Sequence, residues 1–208
     1  MRYLLAYLLP EGGSPRPWSL SVSAVVLRSV MARPKTTLIF SAADKERMRE
    51  LVRFTARTLS TPHPSPFGAS IVSTRTGEPL IRAVNAVARE HDASSHAELR
   101  AVRLAGKKLQ GPLLAGYTLY STCEPCPMCM ANALWARLDR VVYGATIDDA
   151  NRYCLQIHVP AAEVARRADM SCIVQGPFLR KECNTLFDDP RMQTAFRTWS
   201  TSKSSGKR

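Results

Sequence analysis

Residues 118–145 read "TLYSTCEPCPMCMANALWARLDRVVYGA". The first letters, together with the preceding "AGY", form an apolar run that predicts a strand, and "DRVVYGA" at the end predicts another. Between them, "PMCMANALWARL" predicts a helix that begins at a proline. Strands that alternate with helices in this way indicate an α/β fold around a central sheet.

The same alternation continues on both sides of this stretch. A helix is predicted from Ser41, which suits an N-cap position and is followed three residues later by Asp44. Two strands are predicted within residues 67–87 and a helix over about 95–108. Downstream, "AAEVARRA", "SCIVQ" and "FLRKECNTLF" predict a helix, a strand and a further helix. We therefore expect one α/β domain over residues 41–200.

The two ends of the chain differ from this domain. Residues 1–40 contain two short apolar runs separated by "EGGSPRP", which is a poor match to a signal peptide. We expect an N-terminal extension that is disordered, or an upstream start codon with Met31 as the true beginning. Residues 201–208 are expected to be a disordered basic tail. Because no run of about 18 or more uncharged apolar residues occurs, we expect no membrane span.

The charge of the chain is unevenly distributed. The formal net charge is +12, of which residues 1–40 and 201–208 carry +4 and +3, so +5 remains on residues 41–200. Since more than half of the excess lies on the two ends, the charge is weak support for a nucleic-acid-binding groove.

Three of the six cysteines, Cys123, Cys126 and Cys129, lie within seven residues. Disulfide frameworks belong to shorter secreted chains, so we expect bound metal or reduced thiols, and hence a cytoplasmic protein. Three interpretations compete: a redox pair at Cys126 and Cys129, a closed structural zinc site that uses all three cysteines and a histidine, and an open catalytic site. The open site would use two cysteines and one histidine and leave the fourth position to water.

The upstream stretch "SSHAELRAV", residues 94–102, favours the open site. His96 and Glu98 begin one predicted helix. Cys126 and Cys129 begin another, and their spacing of three puts them on nearly the same face. A helix start also favours the thiolate form that zinc requires. The two helix starts can therefore converge on one metal ion.

The order H-x-E followed by P-C-x-x-C is the signature of zinc deaminases, in which the glutamate moves protons and does not bind the metal. Both halves occur here, at residues 96–98 and 125–129. Glu98 can accept a proton from the activated water and pass it to the departing ammonia. A competing interpretation is that Ser95 and Glu98 form a capping box, S-x-x-E, without a chemical role.

On these residues the chain resembles the cytidine deaminase-like superfamily, in its branch of guanine deaminases and tRNA adenosine deaminases. The resemblance runs from about Pro66 to about Phe187, on "PFGASIV", "HAELRAVRLAG", "TLYSTCEPCPMCMANALWARLDRVVYGA" and "LRKECNTLF". It implies a three-layer α/β/α sandwich with a central mixed sheet, one Zn²⁺ per chain and a homodimer.

The resemblance also implies roles for single residues. His96, Cys126 and Cys129 would bind zinc, and Glu98 would carry protons. Asn85, eleven residues before His96, would hydrogen-bond the substrate, and the backbone N–H of Ala97 would face the base.

The motifs do not agree on a single substrate. "PFGA" and "STCEPCPMC" followed by "WAR" are similar to guanine deaminases, but "YGATIDDANRYCLQIH" lacks their "GFDD"-type segment with its second catalytic acid. "CIVQGPFLRKECNTLF" is closer to tRNA adenosine deaminases, without their glycine-rich, histidine-bearing loop. We expect zinc-dependent hydrolytic deamination of a nucleobase or nucleoside, a purine such as guanine. The alternatives are a tRNA adenosine deaminase that forms inosine and a non-catalytic zinc-binding protein on the same fold.

Overall fold

The computed structural model of the protein describes residues 40–201. The expectations for the N-terminal extension and the basic tail fall outside the described residues, apart from Phe40 and Thr201. Within this part of the chain the elements follow in the order α1 (Ala42–Ala56), β1 (Gly68–Ser73), β2 (Pro79–Val84), α2 (Val87–Glu90), α3 (Ala97–Leu109), β3 (Tyr117–Cys123), α4 (Pro127–Trp135), β4 (Arg140–Ala145), α5 (Ile147–Asn151), α6 (Ala161–Arg166), β5 (Ile173–Gln175), α7 (Arg180–Asp188) and α8 (Pro190–Thr201).

The strands of this part of the chain form one mixed sheet in the order β2-β1-β3-β4-β5. β1 pairs antiparallel with β2 and with β3, whereas β3, β4 and β5 run parallel. The chain passes from β3 to β4 through α4, because a parallel connection needs a crossover. The predicted α/β fold with a central mixed sheet is confirmed.

Helices cover both faces of the sheet. Neighbouring strand residues such as Val141 and Val142 enter different cores, because side chains alternate between the two faces of a strand. α3, α4 and α6 pack on the face of Val141, with Ile71, Leu119, Ala101 and Met130 in that core. α1, α7 and α8 pack on the face of Val142, with Met48, Leu51, Phe187 and Phe196. The three layers are therefore present as expected.

α1 begins as the sequence predicts. Ser41 is its N-cap, and the side chains of Ser41 and Asp44 exchange hydrogen bonds with each other's backbone N–H groups in a full capping box. Asp44 also accepts hydrogen bonds from the Tyr120 hydroxyl at 2.5 Å and from Arg140 Nη1 at 2.7 Å. One carboxylate thus joins the start of α1 to β3 and β4.

α8, which follows α7 directly, was not predicted from the sequence. Its sequence, "PRMQTAFRTWST", is mostly polar, and Met192 and Phe196 are its fully buried apolar residues within the described side chains. Together with Ala195 and Trp199, which pack against the same core, they recur at helical spacing, so the period was present in the sequence and was overlooked. None of the helices in residues 40–201 has the length and apolarity needed to cross a membrane.

Candidate metal centre and active site

The start of α3 carries His96 and Glu98. His96 is the N-cap residue, with an extended backbone (φ −66°, ψ 153°), and its side chain makes no capping hydrogen bond. Ser95 donates its hydroxyl to Glu90 Oε2 at 2.5 Å and to Asp92 Oδ2 at 3.2 Å. The interpretation of Ser95 and Glu98 as a capping box is therefore wrong.

The start of α4 carries the two cysteines. Cys126 is the N-cap residue, again with an extended backbone (φ −64°, ψ 166°), and Pro127 occupies the first helical turn as predicted. The carbonyl of Cys126 accepts the N–H of Met130 at 2.9 Å, which closes the first turn. Cys129 lies three residues after Cys126, so both thiols project from the same end of the helix.

The two helix starts converge on a single group of donor atoms. His96 Nδ1 lies 3.6 Å from Cys126 Sγ and 3.6 Å from Cys129 Sγ. The ligand atoms of these three residues all lie within 4.8 Å of one another. Zn–N bonds of about 2.1 Å and Zn–S bonds of about 2.3 Å at tetrahedral angles require an N···S separation of about 3.6 Å. The donor set therefore fits a tetrahedral zinc ion in both chemistry and spacing.

The third cysteine stands apart from this group. Cys123 is the last residue of β3, packs in the core on the side of α1 and α7, and has its thiol 3.7 Å from the carbonyl of Thr146. Within residues 40–201, no fourth His, Cys, Asp or Glu joins the group of three. Three protein donors are the number found in catalytic zinc sites, whereas structural sites are filled by four.

Glu98 lies beside the group of donors without belonging to it. Its side chain is buried, with Oε2 at 3.7 Å from Cys129 Sγ and Oε1 accepting the Ser121 hydroxyl at 3.2 Å. Burial raises the pKa of Glu98, because the carboxylate form loses hydration, and hydrogen bonds from its own N–H and from Ser121 oppose this rise. The arrangement holds a carboxyl group where a proton can be accepted next to the metal position.

The two clustered thiols differ in acidity. The hydrogen bond with Cys129 lowers the pKa of Cys126 against the opposing effect of burial, and the hydrogen bond with His96 acts in the same direction. The hydrogen bond with Cys126 and burial raise the pKa of Cys129. Zinc binds the thiolate form of cysteine, so the lowered pKa of Cys126 favours metal binding, whereas Cys129 would lose its proton when the metal binds. A redox pair alone would not require a histidine nitrogen at equal distance from both sulfurs.

Asn85 follows directly after β2, next to the segment that bears His96. Its N–H donates to the carbonyl of Phe67 at 3.0 Å, and the N–H of Ala86 donates to the carbonyl of Ser95 at 2.9 Å. The Asn85 side-chain oxygen accepts the N–H of Val87 at 3.2 Å. Its amide NH₂ group can then donate to a ligand, and the substrate-binding role of Asn85 stays a prediction.

Ala97 is fully buried as the first residue of α3. Its N–H belongs to the first turn of the helix, where backbone N–H groups lack partners within the helix. Such groups can face a bound base, and the role of this N–H stays a prediction as well.

Asp149, one of the two acids after β4, contacts the start of α5 and Arg180 of α7. It caps α5 through Thr146 and accepts Arg180 Nε at 2.6 Å. The hydrogen bond from Arg180 holds the pKa of Asp149 below its usual range. These contacts give Asp149 a structural role.

Two polar residues that support the site, Ser121 and Arg100, were not predicted from the sequence. Ser121 on β3 donates to Glu98, as described above. Arg100 donates from Nη1 to the carbonyl of Val84 at 2.5 Å and pairs with Glu90 at 3.0 Å, which holds the residue before Asn85 in place. The contact of Ser121 with Glu98 joins residues 23 positions apart, and that of Arg100 with Val84 joins residues 16 apart, so no local pattern reveals either.

The sequence profile of the family described as "Cytidine and deoxycytidylate deaminase zinc-binding region" matches residues 41–145. The chain belongs to this family. The matched region runs from the N-cap of α1 to the end of β4 and contains all three clustered donors and Glu98.

Individual relatives agree with this membership. The chain is 42% identical over 85 residues to a guanine deaminase from Bacillus subtilis, covering 41% of this chain and 53% of that protein. It is 32% identical over 122 residues to a tRNA-specific adenosine deaminase from Buchnera aphidicola, covering 58% and 72%. The aligned part thus spans about half of the length of the first of these relatives.

A solved structure agrees on the fold. That of a guanine deaminase from Nitrosomonas europaea superimposes with a TM-score of 0.63 over 77% of this chain and 86% of that one, at 18% sequence identity. At this identity the likeness concerns the fold alone.

The metal content follows from the three-donor geometry. We expect about one zinc ion per purified chain, measured by inductively coupled plasma mass spectrometry, and loss of zinc in Cys126→Ala and Cys129→Ala, because thiolates supply much of the affinity. Cys123→Ala serves as the matched control and should keep its zinc. Loss of zinc from Cys123→Ala as complete as that from Cys129→Ala would mean that the site is closed and structural.

Proposed function

We propose that this protein catalyses the zinc-dependent hydrolytic deamination of a purine base or nucleoside such as guanine. The observation that carries the proposal is a buried carboxyl group, Glu98, held beside three metal donors with no fourth donor among the described residues. The similarity to a guanine deaminase and to a tRNA-specific adenosine deaminase supports a purine substrate.

His96, Cys126 and Cys129 would hold the metal ion. When bound at such a site, zinc polarises its ligands and lowers the pKa of water to near neutrality. The residues of the chain itself would transfer the protons and orient the ring. The net change replaces the exocyclic amino group of the ring by an oxygen from water and releases ammonia.

Glu98 is suited to move the protons of this exchange. Its Oε2 atom, 3.7 Å from Cys129 Sγ, faces the metal position and would accept a proton from the attacking water. The same oxygen would then deliver a proton to the amino nitrogen, so that it departs as neutral ammonia. Burial excludes bulk water from the carboxyl group, so the proton is retained between the two transfers.

Asn85 and Ala97 would orient the ring. The side-chain NH₂ group of Asn85 can donate to a ring acceptor, and the N–H of Ala97 can donate from the start of α3. The hydrogen bond between Ala86 and Ser95 holds the segment of Asn85 next to the start of α3, where the N–H of Ala97 lies.

Deamination of adenosine in tRNA to inosine is the second candidate. The similarity that covers 72% of the Buchnera aphidicola tRNA-specific adenosine deaminase favours it. The net charge of +5 on residues 41–200 is modest and argues against a tRNA substrate, since phosphate contacts require many basic side chains. A non-catalytic zinc protein would not require a buried carboxyl group next to its metal donors, because an unneeded buried acid is destabilising.

We also propose that the protein forms a homodimer. A groove of about 530 Å³ between α4 and α6 is lined by apolar side chains, among them Trp135, which is 54% exposed. The chain that leads into the groove exposes Leu155 and Ile157 by 84% and 59%. The charged residues that line the groove, Glu163 and Arg167, pair with each other at 2.6 Å, so their charges balance within one chain, which suits contact with a second copy better than with a polyanion.

The deaminase proposal is tested by ammonia release from guanine, adenine, cytosine, their nucleosides and a tRNA anticodon stem-loop. We expect turnover on a purine and a fall of at least about 10²-fold in Glu98→Gln, since general acid–base groups contribute about 10² to 10⁴. Zinc content and denaturation midpoint should stay near the parent values, because Gln keeps the size of the side chain.

Glu78→Gln, in the exposed turn between β1 and β2, is the matched control and should keep full turnover. Near-normal ammonia release by zinc-loaded Glu98→Gln would remove Glu98 from the mechanism. Inosine at the wobble position of the stem-loop, without turnover of free purines, would favour the second candidate.

The dimer is tested by sedimentation velocity. The parent protein should sediment as a dimer at about micromolar concentration, and Trp135→Glu should shift it to a monomer, because a charge in the apolar centre of an interface is costly. Leu113→Glu changes a partly exposed leucine outside the groove and should leave the dimer intact. A parent protein that sediments as a monomer, or equal effects of the two variants, would refute the proposed interface.

A further inference from the structure

Ser121 is a polar residue in an apolar core. It lies on β3, opposite Ala69 of β1 and beside Tyr143 of β4, and is 2% exposed. Its hydroxyl donates to Glu98 Oε1 at 3.2 Å across the gap between β3 and α3. Burying a hydroxyl costs free energy unless it is hydrogen-bonded, so this contact explains why the position tolerates a serine.

The contact matters because Glu98 has few donors. Besides its own N–H, the side chains that bond its carboxyl group within the described residues are Ser121 at Oε1 and the Cys129 thiol at Oε2. A cysteine that binds zinc does so as a thiolate and can no longer donate. In the metal-loaded protein the Ser121 hydroxyl would therefore be the remaining side-chain donor of this set.

We propose that Ser121 is a positioning residue that fixes the Glu98 carboxyl group through Oε1 and so keeps Oε2 turned toward the metal position. This inference rests on the proposed deaminase function only for its effect on turnover. The terminal torsion of a glutamate is broad and poorly restrained by the side chain itself. A hydrogen bond to one oxygen selects one orientation, and proton transfer depends steeply on such an orientation.

A positioning residue and a residue that only packs differ in what their replacement changes. A residue that positions the proton carrier should act on the rate of the chemical step and leave binding of the base and of the metal unchanged. A residue that only stabilises the sheet should change the denaturation midpoint and leave the kcat of the folded, zinc-loaded protein unchanged.

The first test compares Ser121→Ala with Ser70→Ala. Ser70 is also 2% exposed, lies on the neighbouring strand β1, and donates to the carbonyl of Ile81 at 3.1 Å, away from Glu98. In zinc-loaded protein we expect Ser121→Ala to lower kcat by about tenfold or more, the low end for a hydrogen bond to a charged group, with KM within about twofold. Ser70→Ala should keep kcat within about twofold, and both variants should bind one zinc ion.

Ser121→Thr keeps the hydroxyl on a β-branched side chain that suits a strand. It should restore kcat to within about threefold of the parent value. If Ser121→Ala keeps the parent kcat, or if Ser121→Ala and Ser70→Ala lower it equally, the positioning role is refuted.

The second test does not depend on any enzymatic activity. The shift in urea midpoint caused by Ser121→Ala is measured in the parent and in a Glu98→Ala background, both zinc-loaded. We expect a clearly smaller shift without the carboxyl group, because no buried acceptor is then left without its donor. Equal shifts in the two backgrounds would mean that Ser121 and Glu98 are not coupled. If no substrate releases ammonia but the coupling is present, the proposed function fails while the contact stands.

Discussion

Three donor atoms from two distant segments of the chain must lie within 4.8 Å of one another, and the fold is organised around this requirement. His96 starts α3 and Cys126 starts α4, so two helices must begin at the same place. The sheet achieves this because β3 leads directly into the cysteine loop at its carboxyl end, while β2 leads through the short α2 to His96. In open α/β sheets ligands bind at this edge, outside the carboxyl ends of the strands.

The helix starts at the site lack the side-chain caps that begin α1 and α5. α1 and α5 begin with complete capping boxes, Ser41 with Asp44 and Thr146 with Asp149. α3 and α4 begin at residues whose side chains make no capping hydrogen bond, although such a cap contributes about 1 kcal/mol. α2, α6 and α7 also begin without a side-chain cap, so α3 and α4 are distinguished by the metal donors that their N-cap residues carry. At α3 and α4 the N-cap side chains are turned to the common donor group, and the uncapped N–H groups favour thiolate and other negative charge there.

Much of the fold could be predicted from the sequence because its signals are local. The capping box at Ser41 needs residues three apart, and the strands and helices between 67 and 145 have clear periods. The same kind of local reasoning produced the wrong alternative at Ser95, because S-x-x-E does not reveal that Glu90 takes the serine hydroxyl. α8 was overlooked although Met192, Phe196 and Trp199 recur at helical spacing. The contact of Ser121 with Glu98 could not be predicted, because it joins β3 to α3.

The candidate site, like the fold, could be predicted from the sequence only in part. The spacing of His96, Glu98, Cys126 and Cys129 is a strong local pattern, and the structure brings the three donors to the separations that zinc requires. What the spacing cannot reveal is which cysteine stays out. Cys123 is only three residues from Cys126, but its thiol packs in the core that contains Val142, 3.7 Å from the carbonyl of Thr146.

Zinc K-edge X-ray absorption of the purified protein tests the open, three-donor centre most directly. The geometry predicts two sulfur neighbours at about 2.3 Å and otherwise only light atoms at about 2.0–2.1 Å, with an unchanged spectrum in Cys123→Ala. A shell with three sulfur neighbours, reduced to two in Cys123→Ala, would contradict an open catalytic centre.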